Sequence, residues 1–332
     1  MAMDERHGGE LDRMRAAFPN VRAPWVDLST GINSWPYPIT DLTVDDLRAL
    51  PTASASQACA AALANAIGAP EPSVLLSPGS ELLIRLLPSV LNLNSVAILA
   101  PTYGDHGEAW HRAGAKIIRS AEPLTYADRV DAIVLCNPNN PDGRTFAPDT
   151  LLEAHGALTE RGGYLIVDEA YAELAPELSL AAQGGAPGLI MLRSFGKFYG
   201  LAGLRLAAIL APADVKARLS DRLGVWPVSS AALEIGRHAY EDLAWQSETR
   251  EKLASARRAL DDILQSSALD LVGGTDLFRY VRTERAVDLW THLAQQGIYV
   301  RKFHDQPDHL RIGLPKDADE MARLAEALSL SV

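Results

Sequence analysis

Residues 132–143 read AIVLCNPNNPDG, a short apolar run followed at once by a polar turn. The run is apolar on five successive residues, as expected for a strand that is buried on both faces of a parallel sheet. Two prolines and a glycine make the turn rigid, and its asparagines offer amide groups as hydrogen-bond donors. The stretch therefore predicts a buried strand that delivers polar groups at its carboxyl end.

Similar apolar runs recur on both sides of this stretch and alternate with longer helical patterns. The runs are Val74–Ser77, Val96–Ala100, Lys116–Arg119, Ala132–Cys136, Tyr164–Val167, Ile190–Ser194 and Leu206–Leu210. The helical patterns between them include Glu81–Val90, His106–Ala113 and Thr150–Arg161. This alternation is typical of an α/β fold built on an open, mostly parallel sheet.

The sequence changes in character after about residue 215. A long helical stretch, Ala231–Ser266, is followed by three β-type runs and a closing helical pattern, which are Leu277–Val281, Ile298–Lys302, Leu310–Gly313 and Ala318–Leu328. We interpret residues 216–332 as a smaller α+β domain. Residues 51–215 are then the large domain, and the proline-rich residues 1–50 form an extended N-terminal arm that packs on the small domain.

The composition is that of an ordinary folded protein. Of the 332 residues, 48% are hydrophobic and 22% are charged, which is enough apolar material to offset the entropy of ordering the chain. The 31 basic and 42 acidic residues give a net charge of −11, which disfavours nucleic acids and anionic membranes as partners. Cys59 and Cys136 have no paired spacing, so neither a disulfide framework nor a metal site is predicted. With no signal-peptide pattern and no long apolar stretch, we expect a cytoplasmic protein.

The residues that follow the apolar runs are the candidate site residues, because ligands of open α/β sheets bind beyond the carboxyl ends of the strands. Gly79, Ser80 and Glu81 open a helix after the first run, where free backbone N–H groups suit a phosphate. The same three residues also fit a plain helix cap. Tyr103 follows the second run and offers either a flat face to an aromatic cofactor or a buried core ring. Asn140, held between two prolines, can donate to a phenolate-like oxygen.

Asp168 follows the run Tyr164–Val167, and Tyr171, which carries a phenol, comes three residues later. A carboxylate at a buried strand end needs a cationic partner, because burying it unpaired is costly. A role as the metal-binding acid of an ATPase is excluded, since the sequence contains no G-x-x-x-x-G-K-[ST] loop.

Lys197 lies between Phe195 and Phe198, after the run Ile190–Ser194. These apolar neighbours predict that desolvation lowers the pKa of Lys197 from about 10.4 toward neutrality. A neutral amine is what condensation with a carbonyl requires. Ser194 and Lys197 also fit the S-x-x-K motif of serine hydrolases, but the partner motifs S-D-N and K-T-G are absent from the sequence.

Together these groups match the needs of one cofactor, pyridoxal 5′-phosphate. The set contains a phosphate cradle, a stacking ring, an amide and a phenol for a ring oxygen, an acid for a ring nitrogen and a lysine for an aldehyde. The pyridinium ring of this cofactor is an electron sink only when an acid keeps its N1 atom protonated. Asp168 is predicted to be that acid, and Lys197 the amine that binds the aldehyde.

The motifs Asn137–Gly143, Asp168–Tyr171 and Ser194–Arg205 resemble, in this order, those of the fold-type I pyridoxal-phosphate enzymes, in the branch that contains histidinol-phosphate aminotransferase. The resemblance covers essentially the whole chain and implies the transferase architecture of that family and a homodimer. It also implies the catalytic residues Lys197, Asp168 and Tyr171. The cofactor-binding residues that it implies are Gly79, Ser80, Glu81, Tyr103, Asn140, Asp168, Tyr171, Ser194, Lys197 and Arg205.

The start of the chain narrows the resemblance. His7-Gly8-Gly9, Asp27–Asn33 and Trp35–Pro38 resemble the entry segment of the L-threonine-O-3-phosphate decarboxylases of cobalamin biosynthesis. The resemblance implies that a small anionic amino-acid phosphate, L-threonine O-3-phosphate, is decarboxylated to (R)-1-aminopropan-2-yl phosphate, the source of the aminopropanol arm of cobalamin. The substrate-binding residues that it implies are His7, Gly8, Asn33, Asn140, Arg301 and Arg311.

The residues alone leave the reaction open. The bond to Cα that stands perpendicular to the conjugated ring is the one weakened, so the anchors of the substrate decide between losing a proton and losing CO₂. A transaminase like histidinol-phosphate aminotransferase is the alternative, whereas a ligand-sensing module of the same fold is disfavoured by the retained Lys197 and Asp168.

Two features of the sequence depart from the family. Gly196 stands where many relatives have Ser or Thr, and Leu50-Pro51-Thr52 lacks the tyrosine that the aminotransferases offer to the neighbouring subunit.

Overall fold

The structure is a computed structural model that describes residues 7–21, 24–39, 42–267 and 269–330. The chain divides into two compact units. The larger unit comprises Pro36–Asn140 and Arg144–Gln246. The smaller unit comprises Met1–Trp35, Pro141–Gly143 and Ser247–Val332.

The strands, in chain order, are β1 (Val26–Leu28), β2 (Val74–Ser77), β3 (Ser95–Leu99), β4 (Lys116–Ser120), β5 (Ala132–Cys136), β6 (Tyr164–Asp168), β7 (Leu189–Ser194), β8 (Ala207–Leu210), β9 (Asp270–Thr275), β10 (Phe278–Arg282), β11 (Ile298–Lys302) and β12 (His309–Gly313). The α-helices are α1 (Leu11–Ala17), α2 (Val44–Arg48), α3 (Ala53–Ile67), α4 (Ser80–Leu91), α5 (Gly104–Arg112), α6 (Pro148–Thr159), α7 (Phe195–Phe198), α8 (Ala213–Leu223), α9 (Ser230–Glu241), α10 (Leu243–Ser266), α11 (Ala286–Gln295) and α12 (Ala318–Ser329). Among the described helices, none combines the length and the apolarity that crossing a bilayer requires.

The larger unit is built on a seven-stranded sheet with the order β2-β8-β7-β6-β5-β3-β4. The five strands from β3 to β7 run parallel to one another, and β8 is antiparallel to both β7 and β2. Every residue of β5 is buried, which explains why its sequence is apolar without alternation. The predicted mostly parallel sheet is confirmed, and each of its seven strands lies within one residue of the predicted run.

Helices cover this sheet and set where its carboxyl edge opens. Helix α4 packs against α5 and α8 and contributes Leu83, Ile84 and Leu87 to the core beneath the sheet. Helix α3 packs against α9. The predicted helical stretch Ala231–Ser266 is interrupted at Asp242, which leaves the helical conformation with ψ 74°. The Asp242 carboxylate accepts a hydrogen bond from the backbone N–H of Trp245 at 3.0 Å, so the same residue ends α9 and caps the start of α10.

The smaller unit is built on a five-stranded sheet with the order β1-β11-β12-β10-β9. Strand β1 runs parallel to β11, and the remaining pairs are antiparallel. The turn that follows β5 also reaches this unit, because Gly274 donates its N–H to the Asp142 carbonyl at 2.8 Å. A Cβ atom on Gly143 would lie 1.9 Å from the Gly274 carbonyl oxygen, so this close approach requires glycine.

The compact units do not follow the predicted division at residues 51 and 216. Residues 36–50 and 216–246 belong to the larger unit, because α2 and α3 both pack on α9. Residues of the predicted N-terminal arm up to Trp35 belong to the smaller unit, where β1 adds an edge strand to the sheet. Sequence reasoning missed β1 because a three-residue strand leaves too short a pattern to recognise.

Candidate active site

One cavity of the larger unit, about 130 Å³ in volume, lies beyond the carboxyl ends of β5, β6 and β7. It brings together all ten of the predicted cofactor-binding residues. Its lining comprises Gly79, Ser80, Glu81, Ile84, Tyr103, Cys136, Asn140, Asp168, Ala170, Tyr171, Ser194, Gly196, Lys197, Ala202, Arg205 and Leu206. The parallel strands explain this meeting, because their carboxyl ends share one edge of the sheet.

The first wall of the cavity is the start of helix α4. Gly79 precedes the helix with φ 96°, a backbone conformation that glycine adopts readily. A Cβ atom on Gly79 would lie 2.4 Å from Nη2 of Arg205, so the missing side chain leaves room for that guanidinium. The carboxylate of Glu81 is engaged by Arg85, whose Nε donates to it at 2.8 Å. The backbone N–H groups of the helix start and Arg205 therefore form a cationic cradle suited to a phosphate.

Asp168 ends β6 on the cavity floor and is 4% exposed. Its Oδ1 accepts a hydrogen bond from the N–H of Ala170 at 3.1 Å. Its Oδ2 lies 2.9 Å from Nε2 of His106, a buried residue of α5. Burial by itself lowers the pKa of His106, but hydrogen bonds to Asp168 and Cys136 outweigh this effect and raise it to about 10. The cationic partner that the sequence required for Asp168 is therefore a protonated histidine.

Sequence reasoning missed His106, although a signal was present. His106 follows Tyr103 by three positions, which places both side chains on one side of the same helical turn. Their ring centroids are 6.2 Å apart with the rings at 84°. A histidine three residues after a predicted stacking ring, in the first turn of a helix, is therefore a candidate partner for the groups beside that ring.

Ligand atoms of His106, Cys136 and Asp168 all lie within 4.8 Å of one another. A metal ion could span this distance, but each group already has a hydrogen-bonding role. The Thr102 hydroxyl donates to Sγ of Cys136 at 3.3 Å, and the His106–Asp168 distance is that of an ordinary hydrogen bond. We interpret the three groups as a hydrogen-bonded cluster, and the absence of a metal site stays a prediction.

Lys197 lies in the short helix α7 and lines the cavity. Its neighbours Phe195 and Phe198 are both buried, and Phe195 stacks on Tyr199 with a centroid distance of 4.4 Å. The segment packs too tightly for a side chain at Gly196, where a Cβ atom would lie 2.7 Å from the Cα of Ala202. This packing requires a residue without a side chain at position 196.

This donor set fits pyridoxal 5′-phosphate. The cavity combines a phosphate cradle that a Cβ on Gly79 would fill, the ring of Tyr103, the buried carboxylate of Asp168 and the amine of Lys197. Asn140 and Tyr171 line the same cavity. The role of each residue toward the cofactor stays a prediction.

The predicted substrate residues other than Asn140 lie in the smaller unit. Arg311 of β12 is buried and donates from Nη2 to the Ser29 carbonyl at 2.5 Å. The segment around Gly8 packs on the same residue, because Gly9 donates its N–H to the Ser29 hydroxyl at 2.8 Å. A Cβ atom on Gly8 would lie 2.4 Å from the Ser29 carbonyl oxygen. Ser29 therefore joins the N-terminal segment to the buried arginine.

The other three residues are placed as follows. The carbonyl of His7 accepts a hydrogen bond from the Tyr299 hydroxyl at 3.5 Å. Arg301 of β11 is directly opposite Arg311 in the antiparallel pairing of β11 and β12, so both arginines project from the same face of this sheet. Asn33 is buried, and its Oδ1 accepts a hydrogen bond from the N–H of Trp35 at 2.9 Å.

Comparison with known proteins agrees with this description. The chain matches the aminotransferase class I and II family over residues 45–328. It is 39% identical to a threonine-phosphate decarboxylase of Pseudomonas aeruginosa, covering 97% of this chain and 96% of that protein. It is 37% identical to a threonine-phosphate decarboxylase of a Sinorhizobium species, covering 97% of each.

Solved structures share the fold at lower identity. The crystal structure of L-threonine-O-3-phosphate decarboxylase from Porphyromonas gingivalis superposes with a TM-score of 0.77 at 19% identity, covering 92% of this chain and 98% of that one. Histidinol-phosphate aminotransferase from Sinorhizobium meliloti, in complex with pyridoxal 5′-phosphate, superposes with a TM-score of 0.81 at 19% identity, covering 97% and 95%. The predicted fold and family are confirmed: the chain belongs to the aminotransferase class I and II family, and its near-full-length relatives at 37–39% identity are threonine-phosphate decarboxylases.

Proposed function

We propose that the protein is a pyridoxal-phosphate-dependent carboxy-lyase that decarboxylates L-threonine O-3-phosphate to (R)-1-aminopropan-2-yl phosphate. The product is the building block of the aminopropanol arm of cobalamin. The observation that carries this proposal is the junction at Ser29, which ties the His7–Gly9 segment to Arg311. The His7–Gly9 segment is part of the stretch by which the sequence resembles the decarboxylases, and the junction brings it next to a predicted substrate-binding arginine. The similarity to two threonine-phosphate decarboxylases also supports the proposal.

The residues of the larger unit are assigned to the cofactor, which supplies an electron sink when bound. Arg205, Ser194 and the backbone at Gly79 and Ser80 hold its phosphate, and Tyr103 covers one face of its ring. Asn140 and Tyr171 hold the ring oxygen. The carboxylate of Asp168 keeps the ring nitrogen protonated, since a buried anion favours a cation beside it.

Lys197 is assigned the two roles that need an amine. It binds the cofactor aldehyde, and it then holds the proton that replaces the lost carboxylate at Cα. Both roles require the amine to cycle between its neutral and charged forms. Phe195 and Phe198, which flank Lys197 in the sequence, are both buried.

The residues of the smaller unit are assigned to the substrate. Threonine phosphate carries a phosphate and a carboxylate, and the planar guanidinium groups of Arg301 and Arg311 suit both anions. The two side chains share one face of the sheet. We assign His7 and Gly8 to the same substrate because their segment packs on Ser29 beside Arg311.

The test is an assay of CO₂ and amine release from L-threonine phosphate, with and without a 2-oxo acid. We expect release without any 2-oxo acid, and none from the Lys197→Ala variant. Arg311→Lys keeps the charge but loses the planar fork, so we expect KM to rise by about tenfold or more, a loss comparable to one charge-assisted hydrogen bond. A requirement for 2-oxoglutarate together with turnover of histidinol phosphate would establish the aminotransferase alternative instead.

We further propose that the protein is a homodimer. An apolar surface band of the larger unit supports this proposal. It consists of Val44, Leu47, Leu50, Val225 and Trp226, each at least 58% exposed. The Ser230 hydroxyl donates to the Ala49 carbonyl at 2.7 Å, which joins the two stretches. Contiguous exposed apolar surface of this kind marks an interface, and a second copy of the chain is the occupant that the family resemblance favours.

A further inference from the structure

A buried charge cluster lies directly behind the cavity. It consists of Arg193, Glu169 and Glu173, which we call the Arg193 clamp. Nη1 of Arg193 donates to Oε2 of Glu169 at 2.8 Å, and Nη2 donates to Oε1 of Glu173 at 2.8 Å. The three residues are only 3%, 0% and 6% exposed. The two terminal nitrogens of one guanidinium therefore bind two carboxylates that are four positions apart in the sequence.

The clamp residues alternate in sequence with residues of the cavity. Asp168 and Ser194 line the cavity, whereas their neighbours Glu169 and Arg193 bond to each other behind it. Successive residues of a strand point to opposite faces of a sheet, so each strand end presents one side chain to the cavity and one to the clamp. The clamp thus ties the end of β6 to the end of β7 from the side opposite the cofactor.

The clamp also anchors the loop that packs behind these strands. Glu169 accepts hydrogen bonds from the Ser179 hydroxyl at 2.7 Å and from the N–H of Leu180 at 2.8 Å. Burial raises the pKa of Glu173, and the positive charge of Arg193 opposes this shift. Glu169 is therefore bonded to Arg193, Ser179 and Leu180 at once. Because Arg193 also bonds to Glu173, we expect a shift of Arg193 to displace both strand ends.

Stability does not account for such a cluster. Removing charges from water costs about as much as their attraction returns, so replacing a whole buried ion triad by uncharged residues of similar size is often neutral. Position, in contrast, is sensitive, because a displacement of about 1 Å at a catalytic group costs about 100-fold in rate.

We propose that Arg193 is a positioning residue, which through Glu169 and Glu173 sets the separation between Asp168 and Lys197. Arg193 itself is not part of the cavity lining. The inference rests on the proposed function only in taking Asp168 and Lys197 to hold the two ends of the cofactor. Its consequence is that loss of the clamp weakens cofactor binding and turnover without a matching loss of stability.

The decisive variant is Arg193→Met combined with Glu169→Gln and Glu173→Gln, which removes the clamp without leaving an unpaired buried charge. We expect Tm close to that of the wild type, a cofactor Kd raised by about tenfold or more, and kcat lowered by about 100-fold with KM changed by less than about threefold. We also expect the visible absorbance of the bound cofactor to titrate at a higher pH, because a displaced Asp168 no longer holds the ring nitrogen charged.

The matched control removes another charge cluster, in which Asp261 lies 2.7 Å from Arg257 and 2.6 Å from Arg279. The variant Asp261→Asn, Arg257→Met and Arg279→Met should leave cofactor affinity, absorbance and kcat unchanged. If the clamp variant also keeps wild-type cofactor affinity and kcat, the clamp has no positioning role and the inference is overturned.

A second variant decides the matter should the triple variant not fold. Arg193→Lys keeps the charge but cannot bridge two carboxylates with one planar group, so cofactor affinity should fall by several-fold and kcat should fall with it. Wild-type values for both would overturn the inference. Cofactor affinity and absorbance are measured without substrate, so they test the clamp even if the wild type releases no CO₂ from threonine phosphate.

Discussion

Asp168 shows how single residues make the proposed chemistry possible. It is a carboxylate with 4% exposure, a position at which an unpaired charge is strongly unfavourable. His106 and the N–H of Ala170 bond to its two oxygens. The raised pKa of His106 favours the protonated imidazole at neutral pH, which places a positive charge beside the carboxylate. An ionised carboxylate is what a protonated ring nitrogen requires.

Asp168→Asn tests this role. The amide cannot balance a positive ring nitrogen, so we expect turnover of threonine phosphate to fall by about 100-fold to 1000-fold, equivalent to several kcal/mol of barrier. Cofactor binding through the phosphate cradle should persist and is checked by absorbance of the purified variant. Near-normal turnover would remove Asp168 from the mechanism.

The raised pKa of His106 makes a second residue-scale prediction, about stability. A group whose pKa is higher in the folded protein stabilises the fold below its unfolded pKa of about 6.5 and loses that contribution as pH rises toward about 10. The free energy of unfolding of the cofactor-free protein is measured in urea for wild type and for His106→Gln. Between pH 6 and pH 10, that of the wild type should fall by about 1.5–3 kcal/mol more than that of the variant, which is the range of a hydrogen bond to a charged group. A constant difference across this range would show that His106 is neutral.

The start of helix α4 shows how an element serves the site. Its first turn provides backbone N–H groups at the cavity, and the helix can begin there only because Gly79 adopts φ 96°. The absent side chain at this position also leaves space for Arg205. Helix and arginine therefore depend on the same residue for the phosphate cradle.

Gly79→Ala should damage the cradle, and Gly68→Ala provides its control. Both glycines have positive φ, but a Cβ atom on Gly68 meets nothing within 4 Å, whereas one on Gly79 displaces Arg205. Gly68, with φ 67° and ψ 28°, lies in the left-handed helical region, whereas Gly79, with φ 96° and ψ 146°, has a conformation that is less accessible to alanine. We expect Gly68→Ala to lose about 1 kcal/mol of stability from backbone strain and Gly79→Ala to lose more. Only Gly79→Ala should raise the cofactor Kd, by about tenfold or more. Equal cofactor affinities in the two variants would show that the position of Arg205 is unimportant.

At the scale of the whole molecule, the apolar band around Leu47 and Trp226 predicts self-association. The double variant Leu47→Glu and Trp226→Glu should convert the proposed homodimer to a monomer, because burying two charges in an apolar interface is strongly unfavourable. Light scattering after gel filtration measures the mass. The matched control is Val287→Glu, which changes an exposed apolar residue of the smaller unit and should leave the mass unchanged. A monomeric wild type would contradict the proposal.

Much of this molecule could be predicted from contiguous residues. The strand β5 was visible as five successive apolar residues, because burial on both faces leaves a pattern within the run itself. Lys197, Asp168 and Asn140 were predicted from their place just after such runs, and all three line the cavity. The short strand β1 and the break at Asp242 were not found, since one is three residues long and the other depends on a single side chain.

The sequence by itself determined which segments become strands and helices and which polar groups end each strand, because these properties depend on neighbours along the chain. Only the tertiary structure decided which strand ends meet. His106 and Asp168 are 62 positions apart, and Arg193 reaches Glu169 only because β7 lies beside β6. Strand order follows from packing the whole sheet at once, so no local spacing reveals it. The partner of Asp168, the Arg193 clamp and the junction at Ser29 are therefore properties of the folded chain.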